Sequence, residues 1–223
     1  MQKDAYPIFP FYLVIDVSGS MDECIGVIND ELPELRNQIA NDPIVGDIAR
    51  FAVVTFAEQT SLELPLSDLL EVETMPQLTA YGPTNYGDVF DFLSGCIPHD
   101  IAWYKGEGYQ MYRPAVFFVT DGLPSYEGWE DKYRALIDEN NQYRPNIVSF
   151  GFGAADPKVL AQVGTFKAYL AVEGQKPTTV LRTITKELTK SIVASSQRAA
   201  EGKSVLAMPD HIDGMNEISI ELV

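Results

Sequence analysis

Short apolar runs alternate along this chain with longer stretches in which apolar residues recur every three or four positions. The short runs predict strands and the longer stretches predict helices. Two runs, 114–121 and 146–151, are mainly apolar and do not alternate, which is typical of strands buried on both faces of a parallel sheet. We predict strands near 9–16, 49–57, 62–66, 114–121, 146–151 and 167–172, and helices near 22–40, 85–97, 128–143, 156–163 and 177–200. The alternation predicts a three-layer α/β fold, in which helices cover both faces of a doubly wound, mostly parallel central sheet.

One connection departs from this alternation. Only Glu58, Gln59, Thr60 and Ser61 separate the second predicted strand from the third. A crossover between parallel strands needs about a dozen residues, so this pair is predicted to form an antiparallel hairpin. The third strand also meets Pro65, which cannot donate a hydrogen bond to a neighbouring strand. We expect it to be the one antiparallel edge strand of a Rossmann-like sheet.

The sequence also marks an interruption within one helix and a boundary near the end of the chain. Pro33 lies inside the predicted helix 22–40 and predicts a kink or a break near residues 29–32. After Ala200, residues 204–215 are rich in turn formers, and residues 218–222 alternate like a strand. We expect one domain over residues 1–200 and a C-terminal tail over 201–223, which either adds an edge strand or frays.

The negative net charge of the chain argues against some classes of binding partner. Acidic residues number 32 against 16 lysines and arginines, for a formal net charge of −16. Nucleic acids and anionic lipids are bound through basic clusters, which the sequence lacks, so we expect no nucleic-acid and no membrane partner. No run of about 18 apolar residues is present, and residues 1–7 lack the apolar core of a signal peptide. The prediction is a cytoplasmic location, and the distant Cys24 and Cys96 argue against a disulfide or a zinc site.

Five residues that offer oxygen ligands stand at the ends of predicted strands or before a predicted helix. They are Asp16, Ser18, Ser20, Thr84 and Asp121. The first three form an Asp-x-Ser-x-Ser segment after the first apolar run, and the last ends the fourth run. Residues just past the carboxyl ends of parallel strands lie together at one rim of the sheet. Oxygen-only sites favour hard cations, so this set predicts a site for Mg²⁺, or for Mn²⁺ or Ca²⁺.

These positions also carry a resemblance. Over roughly residues 9–197 the sequence resembles the von Willebrand factor A (vWA) domain family, which has a metal-ion-dependent adhesion site (MIDAS). That motif consists of an Asp-x-Ser-x-Ser segment, a distant threonine and a distant aspartate, and all five candidate ligands match it one for one. Many relatives have two glycines before the threonine, where this chain has Gly82-Pro83. The resemblance implies a metal-dependent protein–protein interaction module and not an enzyme.

The chemistry of the ligands favours an acidic partner. Serine hydroxyls are neutral, so an ion that they hold keeps much of its charge and attracts an anionic ligand. We expect a protein partner to supply that ligand as a carboxylate. The predicted rim itself carries Asp22, Glu23, Glu58 and Glu127, so the partner should surround its carboxylate with basic or neutral groups.

Within the family, the chain is similar to compact bacterial intracellular proteins of the TerY type. The similarity rests on the short layout, the Gly82-Pro83-Thr84 loop and the run 118–124. Such proteins are linked to tellurium-resistance and chemical-stress systems that also involve kinases and phosphatases. This implies a scaffold or adaptor in a stress response. A vWA subunit that partners an ATPase in metal-cofactor insertion is the alternative.

Other functions compete for the same residues. The hydroxyl residues could simply cap helices, which would leave two strand-terminal aspartates at one rim unexplained. A metal-dependent phosphohydrolase could use Asp16 as nucleophile, but the second acid expected two residues later is Ser18 here. A serine hydrolase needs a nucleophile elbow and a histidine base, and the only histidines, His99 and His211, lie in loop-like stretches.

Three segments outside the motif carry further expectations. Tyr126 and Trp129, near the same rim, are candidate anchors for a partner, with ordinary packing as the alternative for Trp129. The aromatic stretch 101–112 links a helix to the fourth strand at the opposite rim, where it either covers the core or forms a second partner surface. The segment 151–153, Gly-Phe-Gly, lacks the third glycine of a dinucleotide loop and predicts a strand-to-helix turn.

Overall fold

The computed structural model describes residues 7–203 and 206–220, and in that part of the chain it has seven strands and six α-helices. The strands are Phe9–Asp16 (β1), Ala49–Phe56 (β2), Thr60–Ser67 (β3), Ala115–Thr120 (β4), Asn146–Gly151 (β5), Lys167–Ala171 (β6) and Met215–Ile218 (β7). The helices are Ile25–Ala40 (α1), Pro43–Ile48 (α2), Tyr86–Gly106 (α3), Trp129–Ile137 (α4), Pro157–Val163 (α5) and Pro177–Ala200 (α6). A 3₁₀ helix, Gly19–Glu23, lies between β1 and α1. None of the described helices is both long enough and apolar enough to cross a membrane.

The strands form one sheet in the order β3-β2-β1-β4-β5-β6-β7. The five inner strands run parallel, and β3 and β7 pair antiparallel with β2 and β6 at the two edges. The chain passes from β1 outward to β2 and later returns to β4 on the other side of β1. Loops that leave the carboxyl ends of β1 and β4 therefore diverge, and such a switch point is where open α/β sheets bind ligands.

Strand β1 shows how the apolar runs build the three layers. All eight of its residues are buried, and successive side chains point to opposite faces of the sheet. Leu13 and Ile15 join the cluster beneath α1 and α6, while Tyr12 and Val14 join the cluster beneath α3 and α4. Both faces of the strand are thus covered by helices, which confirms the predicted three-layer α/β fold.

Aromatic side chains of β2, β4 and α3 pack together on one face of the sheet. The Phe118 ring of β4 stacks on Phe56 of β2 and Phe90 of α3, with ring centroids 5.0 and 5.6 Å apart. Tyr86, at the start of α3, meets Phe118 edge to face at 5.0 Å. Burial of each such ring stabilises the fold by roughly 1.5–3 kcal/mol. This packing fixes the start of α3 against the carboxyl ends of β2 and β4.

Several helix boundaries differ from those that the sequence predicts. Helix α1 continues through Pro33 without a break. Helix α3 does not end near residue 97 but runs to Gly106, because Ile101 and Tyr104 extend its buried face beyond Pro98. Helix α4 ends at Ile137 and not near 143, because the Asp138 carboxylate accepts a hydrogen bond from the Asn140 backbone N–H at 2.7 Å and starts a turn.

Helix α2 has no counterpart among the predicted elements, although its start has a clear signal: the Asp42 carboxylate caps it and Pro43 occupies the first position. The antiparallel hairpin of β2 and β3 is confirmed, with β3 continuing through Pro65 at the sheet edge. The Gly-Phe-Gly turn is also confirmed, between β5 and α5.

The C-terminal tail adds a second antiparallel edge strand to the sheet, whereas the predicted sheet has only one. Strand β7 pairs with β6 over residues 215–218, three residues before the predicted start at 218. The tail is also tied to β6 by Lys167, whose ammonium lies 3.0 Å from both Asp210 and Glu217. Residues 221–222 of the predicted strand lie outside the described residues. The division into a domain over 1–200 and a tail over 201–223 stays a prediction.

Candidate metal centre

The two candidate aspartates leave neighbouring strands side by side. Asp16 is the last residue of β1 and Asp121 directly follows β4. The strands are parallel neighbours, and Ile15 pairs with Val119. Both carboxylates therefore reach the same rim at the switch point of the sheet, as the apolar runs predict.

Asp16 is held from two directions. One carboxylate oxygen accepts a hydrogen bond from the Ser18 backbone N–H at 2.8 Å, and the other accepts from the Thr120 hydroxyl at 2.7 Å. The Asp16 side chain has no exposed surface. Burial, with a smaller contribution from the nearby charge of Asp121, raises the pKa of Asp16 to about 6 against the opposing effect of the Ser18 and Thr120 hydrogen bonds. The fold therefore fixes an acid in a place that disfavours its charge.

Ser18 and Ser20 link Asp16 to Asp121. The Ser18 and Ser20 hydroxyl oxygens lie 3.1 Å apart, and the Ser20 hydroxyl donates to Asp121 Oδ1 at 2.7 Å. Asp121 is itself buried, which raises the pKa of its carboxyl, and the Ser20 hydrogen bond opposes that rise. Four of the five predicted ligands are thus linked by hydrogen bonds, Asp16 through the Ser18 backbone N–H and the others through hydroxyl groups.

Thr84 reaches the same place on a separate loop. The Gly19 N–H donates to the Gly82 carbonyl at 2.9 Å, which joins the loop before Thr84 to the serine segment. The Ser125 N–H donates to the Thr84 carbonyl at 2.8 Å, which joins it to the loop after β4. A methyl group added at Gly122 would lie 3.9 Å from the Thr84 hydroxyl oxygen. Thr84 therefore lies next to Gly122, the residue after Asp121, and its role as a ligand stays a prediction.

The hydroxyl groups do not serve as helix caps. Ser18 precedes the 3₁₀ helix, but its side chain makes no capping hydrogen bond. Helix α3 is capped by Asn85, whose side-chain oxygen accepts from the Asp88 N–H at 3.2 Å, and not by Thr84. The capping explanation for these two residues is therefore wrong, and their hydroxyls are available for another role.

Two residues for which the sequence predicts no role, Thr120 and Tyr86, support the centre. Thr120 ends β4 and donates its one hydroxyl proton to Asp16, while it accepts from the Gly122 N–H at 3.2 Å. The Tyr86 hydroxyl lies 3.2 Å from the Thr120 oxygen and 3.1 Å from the Gly122 carbonyl. A hydroxyl residue at the end of an otherwise apolar strand was the available signal for Thr120. Tyr86 had none, because its role depends on how α3 packs.

The charge balance of this group suits a divalent cation. In residues 7–203 and 206–220, no lysine, arginine or histidine forms an ion pair with Asp16 or Asp121. Burying carboxylates without a positive partner is costly. The same part of the chain holds no cluster of three or more His, Cys, Asp or Glu residues placed to bind a metal. A cation here would need the serine and threonine hydroxyls as well, and such oxygen donors match hard ions.

Solved structures match the fold. No family model and no curated protein matches the sequence. The pilus adhesin SpaC of Lactobacillus rhamnosus GG matches with a TM-score of 0.64 at 12% identity, over 86% of this chain and 30% of that chain. Proximal thread matrix protein 1 (PTMP1) from the mussel byssus matches with a TM-score of 0.58 at 17% identity, over 85% of this chain and 49% of that one. A von Willebrand factor type A protein from Catenulispora acidiphila matches with a TM-score of 0.50 at 18% identity, over 83% and 43%.

The fold is vWA-like. This chain spans less than half the length of each of the three matched chains. Identities of 12–18% establish the shared fold alone. A further PTMP1 structure, with a TM-score of 0.50 at 19% identity over 83% of this chain and 47% of that one, is described as having a zinc-occupied MIDAS motif.

The rim around the candidate metal centre carries exposed apolar side chains. Tyr81, Leu123 and Tyr126 are each 45–50% exposed, and they lie on the loops that carry Thr84 and Asp121. Trp129, by contrast, is only 4% exposed and packs on Tyr86, with ring centroids 5.6 Å apart. Tyr126 is therefore open to solvent, and its role as a partner anchor stays a prediction, whereas Trp129 belongs to ordinary packing.

Replacing Gly153 by alanine is expected to destabilise the protein and to weaken cation binding. Gly153 has a φ of +62°, and an added Cβ would lie 3.0 Å from the Asp121 carbonyl oxygen. The left-handed backbone alone costs a non-glycine residue about 1–2 kcal/mol, and the contact should displace Asp121 as well. Thermal unfolding with and without Mg²⁺ measures both effects.

Gly174 provides the matched control. It has a φ of +84°, but an added Cβ would meet nothing within 4 Å. Gly174→Ala should therefore show the backbone penalty without any change in cation binding. An equal loss of cation binding in both variants would contradict a supporting role for Gly153.

Proposed function

We propose that this chain is a metal-dependent protein–protein interaction module. A divalent cation is held by Asp16, Ser18, Ser20, Thr84 and Asp121, with Mg²⁺ favoured over Mn²⁺ and Ca²⁺ because few carboxylates are present. The observation that carries the proposal is the pair of buried aspartates that lack a basic partner in the described part of the chain and are linked through Ser18 and Ser20. The adhesin and byssus proteins of the same fold support a role in binding, and the zinc-occupied MIDAS of PTMP1 supports a metal.

The residues of this chain prepare the site before a ligand arrives. Thr120 and the Ser18 N–H fix the orientation of the Asp16 carboxylate, and Ser20 fixes that of Asp121. When bound, the cation supplies a positive centre that a partner carboxylate can complete. The exposed Tyr81, Leu123 and Tyr126 offer apolar contact around that centre. Aromatic residues are common anchors at protein interfaces, so these side chains would set much of the affinity.

A binding role fits the site better than catalysis. His99 lies in α3 beside Asp100, and His211 lies beside Asp213 near β7. Neither histidine forms a hydrogen bond with a serine of the candidate metal centre among the described residues. The position two residues after Asp16, where a phosphohydrolase would carry its second acid, is Ser18.

The resemblance to TerY-type proteins extends the proposal to a biological setting. On that basis the chain is a cytoplasmic scaffold or adaptor in a tellurite or chemical-stress system, with a kinase or phosphatase among its associates. The support is the Gly82-Pro83-Thr84 loop and the run 118–124. Partnership with an ATPase in metal-cofactor insertion is the alternative setting. The two differ in which class of protein the cation-loaded form binds.

Calorimetric titration with Mg²⁺ tests the metal site. We expect a saturable heat for the wild type and none for Asp16→Ala, because that change removes the ligand most firmly fixed by the fold. Asp22→Ala is the matched control, since Asp22 is an exposed acid in the adjacent 3₁₀ helix. It should titrate like the wild type. Equal heats for the wild type and Asp16→Ala would contradict the metal claim, and parallel titrations with Mn²⁺, Ca²⁺ and Zn²⁺ would rank the ions.

Capture of partners from the native cell, with and without a chelator, tests the interaction. We expect partners that are retained with Mg²⁺, released by the chelator, and absent when Asp16→Ala is the bait. A stress-system kinase or phosphatase among them favours the scaffold, and an ATPase favours the alternative. Partners that survive chelation unchanged would show that the module binds proteins without a metal.

A further inference from the structure

A cleft of about 530 Å³ opens at the rim of the sheet opposite to the candidate metal centre. It lies between the amino end of β2, the carboxyl end of β3 and the carboxyl end of α3. Its polar and aromatic lining includes Arg50, Asp68, Glu71, Trp103, Glu107 and Tyr109. We call it the lower cleft. Part of it comes from the aromatic stretch 101–112, for which the sequence left two roles open.

The one cation in this lining is already neutralised within the fold. The Arg50 guanidinium donates to the carbonyls of Gly46 and Ala49 at 3.0 and 2.8 Å, and it lies 3.3 Å from Asp68. Its side chain is 9% exposed. Arg50 therefore holds the wall of the cleft together and offers little charge to a ligand.

The remaining charge of the lower cleft is negative. Glu71 and Glu107 are exposed and form no ion pair within the described part of the chain. The carboxyl end of α3, a helix of 21 residues, also lies here and adds the negative end of its dipole. Lys105 in the last turn is directed elsewhere, with its ammonium 5.4 Å from the Tyr143 ring centroid. A cation entering the cleft would thus meet two unpaired carboxylates.

An exposed indole completes the cleft. Trp103 is 57% exposed, although its neighbour Tyr104 is buried and anchored by a hydrogen bond of 3.0 Å from its hydroxyl to the Leu66 carbonyl. The two rings meet edge to face with centroids 4.7 Å apart, and Tyr109 packs on Tyr104 at 5.9 Å. The indole therefore rests on a fixed base, and tryptophan is the aromatic residue that attracts cations most strongly.

We infer that the lower cleft binds an arginine side chain from an extended segment of a partner protein. A planar guanidinium can stack on the Trp103 ring while it donates to the carboxylates of Glu71 and Glu107, which an ammonium cannot do as well. The cleft is larger than one guanidinium group, so flanking residues of the segment also fit. Strand β3, whose Leu66 and Ser67 line the cleft, is an edge strand of the sheet, and such edges accept extended peptides. This site is independent of the cation at the opposite rim.

Titration of three short peptides, with a chelator present throughout, tests the inference. The probes are acetylated and amidated Ser-Arg-Ser-Arg-Ser, its lysine analogue and its glutamine analogue, each followed through the tryptophan indole N–H signals in NMR spectra. We expect the arginine peptide to shift the Trp103 signal saturably and the glutamine peptide to leave it in place. Trp129 is buried near the candidate metal centre, at the rim opposite to the lower cleft, and its signal serves as an internal reference. Equal shifts with arginine and glutamine peptides, or equal affinity for arginine and lysine peptides, would overturn the assignment.

Matched variants distinguish binding in the lower cleft from general attraction of the basic peptide to an acidic protein. With a fluorescein-labelled arginine peptide and anisotropy as the readout, Trp103→Ala should weaken binding about fivefold. The double variant Glu71→Gln, Glu107→Gln should weaken it by a similar factor and reduce its salt dependence. Glu173→Gln, an exposed acid in the loop after β6, should bind like the wild type. Binding that is unaffected by both cleft variants, or weakened equally by Glu173→Gln, would overturn the inference.

Discussion

Asp16→Asn is expected to raise the thermal stability of the metal-free protein at neutral pH and to abolish its stabilisation by Mg²⁺. The Asp16 side chain is fully buried, and burial raises its pKa to about 6, so at neutral pH the fold carries an unfavourable negative charge. Asparagine removes that charge, and its oxygen can still accept from the Ser18 N–H. We expect a gain of about 1–3 kcal/mol without metal. Calorimetric unfolding in chelator and in Mg²⁺ measures both effects.

The opposite signs of these two effects distinguish a ligand from an ordinary buried acid. A purely structural Asp16 would lose stability on substitution in both conditions, because its hydrogen bonds to Ser18 and Thr120 would weaken. Asp22→Asn serves as the control, since it alters an exposed acid of the same segment and should change neither measurement. A variant that is less stable in chelator and still stabilised by Mg²⁺ would contradict the ligand role.

Cation affinity is expected to fall steeply between about pH 7.5 and pH 5.5. Metal binding requires ionised carboxylates, and burial raises the pKa of Asp16 to about 6 and also raises that of Asp121. Protons therefore compete with the cation in this range, and below the pKa each further pH unit should weaken binding about tenfold for each proton displaced. Titrations with Mg²⁺ at three pH values measure the slope. An affinity that stays constant across the range would contradict the assignment of these acids as ligands.

The metal-free protein should show a linked dependence of stability on pH. Because the folded pKa of Asp16 is about 6 against 3.8 for the ordinary group, the native state binds more protons than the unfolded state between these values. The contribution of Asp16 to stability is therefore present below about pH 4 and is lost as the pH rises through about 6. A saturating cation should remove this loss, and Asp16→Asn should lack it.

The sequence predicted the aspartates of the candidate metal centre because local patterns place them. An apolar run marks where a strand ends, and the alternation of elements places the carboxyl ends of β1 and β4 at one rim. The support from Thr120 could not be predicted in the same way, because it depends on the register that brings Thr120 next to Asp16. Tyr86 depends further on the packing of α3 against the end of β4. Distant contacts of this kind do not appear in local periodicity.

The helix boundaries show where the burial of apolar side chains outweighs local sequence preferences. Proline penalises the interior of a helix, yet α3 continues through Pro98, because Ile97 before it and Ile101 after it both pack into the core. At the end of α4 the local sequence preference decides instead, since the Asp138 side chain accepts a hydrogen bond that starts a turn. Prolines and short polar residues thus mark sites where a helix can end, and packing decides whether it does.

Strand β7 covers the edge of β6 and leaves a shorter strand as the edge of the sheet. It occupies the hydrogen-bonding edge of β6, pairing Ala168 with Ile218 and Ala171 with Met215. A shortened protein ending at Ala200 would present β6 as an open edge, which is a template for strands of other molecules. The choice of end point in a recombinant protein would then decide whether a sample contains monomers or edge-to-edge assemblies. Such assemblies would carry several candidate metal centres at once and could imitate a tight partner interaction that one molecule does not make.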